Sequence, residues 1–131
     1  MKFITVTATF KFHGIEILKP GQILKLVKEP ENLKDAEAIR VEYPGIGPVG
    51  YVANSVHTVA KGTYSAGRIY DTFDDYIYCK VWFVTRDCAI VEILETEDRE
   101  RLDKIFEELS VMEQRKKLDD ETDNHVENEE Y

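Results

Sequence analysis

Cysteine is scarce in this chain: Cys79 and Cys88 are the only two. They flank a hairpin turn expected at Thr85-Arg86-Asp87. In that register Cys79 faces a residue near Ile93 rather than Cys88, which makes a disulfide geometrically poor. Two buried thiols in a reducing compartment are expected instead. The three histidines, His13, His57 and His125, have no HxxxH or CxxC companions, so no metal site is expected. No apolar run approaches the roughly 18 residues that span a bilayer. Residues 1–10 alternate polar and apolar and lack the h-region of a signal peptide, which predicts a cytoplasmic protein away from membranes. No glycine-rich stretch leads into Lys and Ser or Thr, so a phosphate-cradling loop is missing. Gly45-Ile46-Gly47 lies between two prolines and reads as a turn. No serine sits in a nucleophile elbow, and Asp74-Asp75 reads as a solvated loop. No catalytic residue and no cofactor are therefore expected, and the chain is read as a non-enzyme. Its 131 residues amount to one domain, which excludes motor ATPases and kinases.

What is present is divided unevenly. The formal net charge is −9, which taken alone argues against nucleic acid. Residues 1–94 hold 11 basic and 11 acidic side chains, whereas residues 95–131 hold 6 basic and 15 acidic ones. All 7 glycines, all 4 prolines and 12 of the 14 aromatic residues precede residue 95. A neutral, turn-rich body is thus followed by an acidic, helix-biased tail.

Period-two alternation predicts strands in the body. Residues 2–10 place Ile4, Val6, Ala8 and Phe10 on one face. Residues 22–28 form a second strand, stopped by Pro30, which lacks an amide donor. Residues 38–43 and 49–52 form two more, joined by the Pro44–Pro48 turn cluster. Asn54-Ser55 suits the cap of a short helix through about Ala60, stopped by Gly62. Residues 68–73 are ambiguous. Residues 76–84 are apolar on both faces apart from Lys80, which predicts a central strand, with 88–94 as its hairpin partner. Short, closely spaced strands with one small helix predict a mainly β fold, a small OB-like barrel over 1–95. Thr96, followed by Glu97 and Asp98, suits the start of an amphipathic helix over 96–117. Leu102, Ile105, Phe106, Leu109 and Met112 form its apolar stripe, which must dock on the body, pair with a second copy or meet a protein partner. Residues 118–131 are almost wholly acidic and polar and predict a disordered tail.

One constellation is more specific. It runs from Lys28-Glu29-Pro30-Glu31-Asn32-Leu33-Lys34-Asp35 through Ala38-Ile39-Arg40-Val41 and continues in Pro48-Val49-Gly50-Tyr51-Val52. Upstream, the first strand ends in the basic–aromatic pair Lys11-Phe12 before a glycine. This pattern resembles the HIRAN domain over about residues 1–94, and in particular its small stand-alone bacterial versions. The resemblance implies an OB-related barrel that binds single-stranded DNA and holds its free 3′ end, a task tied to DNA repair or processing. The helicase-like and RING parts to which such domains are usually fused are absent from the sequence in hand.

By the same resemblance, Lys11 and Phe12 lie at the nucleotide pocket, where a cation suits a phosphate and a ring suits a base. Asn32 and Asp35 surround the terminal nucleotide, and an Asp there would accept a bond from a terminal hydroxyl and repel a terminal phosphate. The same two residues fit an Asx turn that shapes the loop. Phe12 equally fits a packing role at the rim, and Tyr51 a half-buried ring with its hydroxyl at the surface. Two positions depart from the pattern: Lys34 replaces an aromatic before the loop aspartate, and Asn54 replaces a basic residue after the VG-aromatic strand. The expected nucleic-acid-binding set is thus Lys11, Phe12, Asn32, Lys34, Asp35, Tyr51 and Asn54, with weakened affinity for single-stranded DNA. The alternative is a protein-interaction or regulatory module that has lost DNA binding and offers its C-terminal helix to a partner.

Overall fold

The computed structural model describes the backbone of residues 1–129 and the side chains of residues 1–121. Six antiparallel strands close into a barrel: β1 (Phe3–Thr7), β2 (Ile23–Lys28), β3 (Ile39–Tyr43), β4 (Gly47–Val52), β5 (Tyr76–Val84) and β6 (Ala89–Ile93). Their order around the barrel is β1-β4-β3-β2-β5-β6. Closure leaves no unpaired edge to template aggregation. β1 makes it possible by pairing with both β6 (Ile4 opposite Val91) and β4 (Val6 opposite Val52). The alternating inward side chains fill the interior: Ile4, Val6, Leu24, Leu26, Ile39, Val41, Val49, Cys79, Val81 and Val91 are all buried. Cys79 stands opposite Ile93, as the hairpin register required, and both cysteines are free; Cys79 is buried as expected, whereas Cys88, beside the β5–β6 turn, is only half-buried.

Three local expectations change. β1 ends at Thr7 instead of Phe10, because Ala8 takes a left-handed backbone (φ 60°) and residues 9–11 coil into a 3-10 turn. No helix forms over 54–60. Ser55 instead accepts bonds from the amides of Thr58 and Val59, and the Ala60 amide is taken by the Thr5 hydroxyl. That buried hydroxyl also bonds Thr63, so this loop covers the outer face of β1 at Thr5. The short helix lies further on, α1 (Ala66–Ile69), running into the ambiguous stretch 68–73, and is followed by a 3-10 turn over Tyr70–Thr72.

The C-terminal helix, α2 (Arg99–Glu129), does not stop at 117 but carries helical backbone to Glu129. Side chains from 122 onward and residues 130–131 lie outside the described residues, so the expected disordered tail falls largely there. The apolar stripe faces the barrel. Leu102 is buried, Ile105 lies beside Ile77 and Ile93, Phe106 packs on the Tyr78 ring at 5.5 Å, and Leu109 lies by Tyr43 and Pro44. Met112, at its far end, is exposed. Asp103 fastens the helix by accepting hydrogen bonds from the hydroxyls of Tyr76 (2.8 Å) and Tyr78 (2.6 Å). Arg99 stacks its guanidinium 3.7 Å from the Tyr76 ring and pairs with Asp75. Gly45, at φ +77°, lets the β3–β4 hairpin approach α2 so closely that an added Cβ would stand 2.7 Å from the Ser110 carbonyl. α2 covers Tyr78 on the outer face of β5, whereas Trp82 and Phe83 further along the strand stay exposed; β5 is flanked on both sides, by β2 and β6, as every strand of a closed barrel is.

Candidate nucleic-acid interface

Three chain segments meet on the β1–β4 side of the barrel and enclose an open groove of about 770 Å³. The turn after β1 supplies Lys11 and Phe12; the β2–β3 loop supplies Asn32, Leu33, Lys34 and Asp35; the end of β4 supplies Tyr51 and Asn54. All seven residues expected from the sequence line this one groove.

The local chemistry explains how each is placed. Pro30 ends β2, and the loop is closed by the Glu29 amide bonding the Ala38 carbonyl. Asn32 Oδ1 accepts the amides of Lys34 (2.9 Å) and Asp35 (3.1 Å), so the Asx turn is present and fixes the loop. Asp35 Oδ1 accepts the Glu37 amide, and its Oδ2 accepts Asn54 Nδ2 at 3.0 Å. Asn54 Oδ1 in turn accepts the Gly67 amide. Asn54, the departure from the resembled pattern, therefore braces loop against barrel and tethers α1. Gly50 sits where an added Cβ would be 2.7 Å from the Thr7 carbonyl, so the VG-aromatic strand needs a glycine for β1 to lie against it.

Tyr51 pairs with Arg40 and Thr7 across its neighbouring strands and points outward. Its hydroxyl donates to the Glu29 carboxylate (2.9 and 3.1 Å). Glu29 also accepts Asn32 Nδ2 (3.0 Å) and Arg40 Nη1 (2.9 Å). Burial alone would raise the Glu29 carboxyl, but the bonds from Asn32, Arg40 and Tyr51 outweigh it and hold the group below its ordinary value. The Tyr51 phenol is pushed up, first by burial and then by its bond to the carboxylate. Glu29 and Arg40 are the residues that sequence reasoning left out. Both stand inside the motif, but their partners lie up to 22 positions away, and only the barrel brings them together.

The Phe12 ring is 6.0 Å from that of Tyr51, tilted at 43°, and 36% of Phe12 is exposed. Leu33 is fully exposed at the loop tip, and Phe10 is 80% exposed on the turn beside Lys11. Neither Lys11 nor Lys34 belongs to any of the ion pairs among the described residues. The groove thus offers two aromatic faces, an apolar tip and two available ammonium groups around one carboxylate. Such a surface can stack planar rings and neutralise phosphates. Ala8, in a backbone conformation that non-glycine residues rarely take, sits at its edge and turns Lys11 and Phe12 toward it. The acidic helix α2 docks elsewhere, across Tyr76 and Tyr78 of β5 and the β3–β4 hairpin.

Among the described residues, no group of three or more His, Cys, Asp or Glu side chains is placed to hold a metal, and no helix is long and apolar enough to cross a membrane. The chain matches no family model, and no curated protein or solved structure matches it.

Proposed function

We propose that the chain is a non-enzymatic, HIRAN-like module of the cytoplasm that grips the 3′ end of single-stranded DNA in the β1–β4 groove, in a step of DNA repair or processing. The observation that carries this reading is the convergence of Phe12, Tyr51, Lys11 and Lys34 on one groove. Two rings can hold a base, and two amines can meet the phosphates on either side of it. The Asp35 carboxylate supports a preference for a 3′-hydroxyl, because it accepts a hydrogen bond from a hydroxyl and repels a phosphate dianion. Binding is weak, since Lys34 takes the place of a further stacking ring and Asn54 is spent on Asp35 and Gly67.

The test is a titration with one short strand carrying either a 3′-hydroxyl or a 3′-phosphate, repeated at several salt concentrations. Salt-dependent binding that favours the hydroxyl supports the reading. Equal affinity for both ends removes the terminal role.

A protein-interaction module is the second reading. Exposed Leu33 and Phe10, together with the mutual bonding of Asn32, Asp35 and Asn54, favour it. Absence of any oligonucleotide binding at low salt would select it.

A further inference from the structure

Outside the groove, the outer face of β5, β6 and β1 carries an aromatic cluster that the fold does not bury. The β5–β6 ladder runs Val81 opposite Val91, then Phe83 opposite Ile90, so Trp82 is an extra residue. Strict alternation would turn Phe83 inward. The bulge instead sends both Trp82 and Phe83 outward, 40% and 60% exposed, and returns Val84 to the side of buried Ala89. Phe3 of β1 meets Trp82 edge-on at 5.8 Å, and the Phe83 ring lies 6.3 Å from Trp82 on its other side. Trp82 Nε1 donates to Glu92 (2.9 Å), which holds the indole in place. Three rings in sequence on a strand-paired, edge-free surface are unusual for a face meant only for water.

The charges around the cluster point to its occupant. Lys80 is exposed two residues before Trp82, and Lys2, just before Phe3, is exposed with its amine 5.9 Å from the Tyr64 ring. Among the described residues neither belongs to an ion pair; the one carboxylate within the cluster, Glu92, stands opposite Lys80 and Phe3 and accepts the Trp82 indole. Rings flanked by exposed lysines fit the bases and phosphates of a single strand. β1 connects this face to the groove: Phe3 lies in the cluster and Thr7 lines the groove, four residues or about 13 Å apart at ~3.3 Å per residue. The loop packed over Thr5, between the two, presents exposed Lys61.

We propose that the Phe3–Trp82–Phe83 face is a second contact for the same single strand, stacking bases a few nucleotides away from the terminus. The proposal rests on the groove reading above but extends the footprint around β1.

Trp82 is the only tryptophan, so its emission reports on this face directly. The full chain is titrated at low salt with a strand of about twelve nucleotides, within the roughly 4–16-nucleotide footprint of a small barrel, and with a dinucleotide of the same 3′ end. Binding is followed by anisotropy or competition alongside Trp82 emission. The longer strand is expected to bind at least about tenfold tighter and to quench Trp82, whereas the dinucleotide leaves the emission unchanged. Phe83→Ser, an exposed position whose folding is checked by thermal melting, should weaken the longer strand about tenfold without affecting the dinucleotide. Phe12→Ala should weaken both.

Equal affinity for the two lengths, with no quenching and a silent Phe83→Ser, overturns the second contact and leaves the groove standing. Quenching and a Phe83→Ser effect without any influence of Phe12→Ala or the 3′ group overturn the groove and leave the face. Self-association abolished by Phe83→Ser overturns the proposal in favour of an interface between copies. Lack of any binding overturns both sites.

Discussion

Removing the Asp103 carboxylate should loosen α2 from the barrel by a calculable amount. Asp103 Oδ1 accepts both the Tyr76 and the Tyr78 hydroxyl, and Tyr78 is only 2% exposed. Burial pushes the Tyr78 phenol up strongly, and the bonded carboxylate adds to it, so the phenol is a donor at every ordinary pH. In Asp103→Ala the Tyr78 hydroxyl loses its acceptor beneath the helix. A buried donor left without a partner costs ~1–3 kcal/mol, and the lost Tyr76 bond adds roughly 0.5–1 kcal/mol. The total is about 1.5–4 kcal/mol. A chain of this size loses about 4 °C of melting temperature per kcal/mol, so the midpoint should fall by roughly 6–16 °C. Tyr78→Phe removes the donor but leaves Asp103 bonded to Tyr76 and should cost only ~1 kcal/mol. In the double variant the stranded hydroxyl no longer exists, so its cost should be about 1 kcal/mol less than the sum of the single costs. Thermal and denaturant melts of the four proteins measure this coupling. Additivity within about 0.3–0.5 kcal/mol, or an Asp103→Ala midpoint equal to that of the parent, would refute the latch.

Other perturbations test separate parts of the molecule. Gly45→Ala forces a Cβ into the Ser110 carbonyl and onto a backbone with φ +77°, and should destabilise by about 1–3 kcal/mol, read by chemical denaturation. Deleting residues 118–131 should leave the melting temperature nearly unchanged and modestly strengthen oligonucleotide binding at low salt, whereas deletion from 97 should lower the melting temperature by uncovering Tyr78. Lys11→Ala should reduce the magnitude of the salt dependence of oligonucleotide binding by about one phosphate contact, and Phe12→Ala should weaken that binding about tenfold at every salt concentration. Glu29 has a folded-state pKa below its ordinary value of 4.5, so the unfolded chain takes up its proton first on acidification. Its stabilising share is therefore present above about pH 4.5 and lost as pH falls through the depressed folded value. Glu29→Gln should flatten that acid limb in melts recorded between pH 3 and pH 6, and an unchanged limb would deny the Glu29 network its role.

Much of this fold was legible in the chain. Period-two alternation marked the β-rich body, because a barrel buries one face of each strand and so writes its geometry into neighbouring residues. The uneven charge and the three-and-four spacing from Leu102 to Leu109 marked the helix and the side it buries. Lys11, Phe12, Asn32, Lys34, Asp35, Tyr51 and Asn54, read from the motif and its surroundings, are among the residues that line the groove. Tertiary structure alone decided the rest, and for one physical reason: each remaining feature depends on partners distant in sequence. The loop over 54–60 is not a helix because Thr5 takes its amide from 55 positions away. Glu29 gathers Asn32, Arg40 and Tyr51 only once β2, β3 and β4 are paired. The β-bulge that turns both Trp82 and Phe83 outward is fixed by the register against β6, which alternation within β5 does not specify. The sequence by itself determined which side chains alternate. Closure of the barrel determined which of them meet.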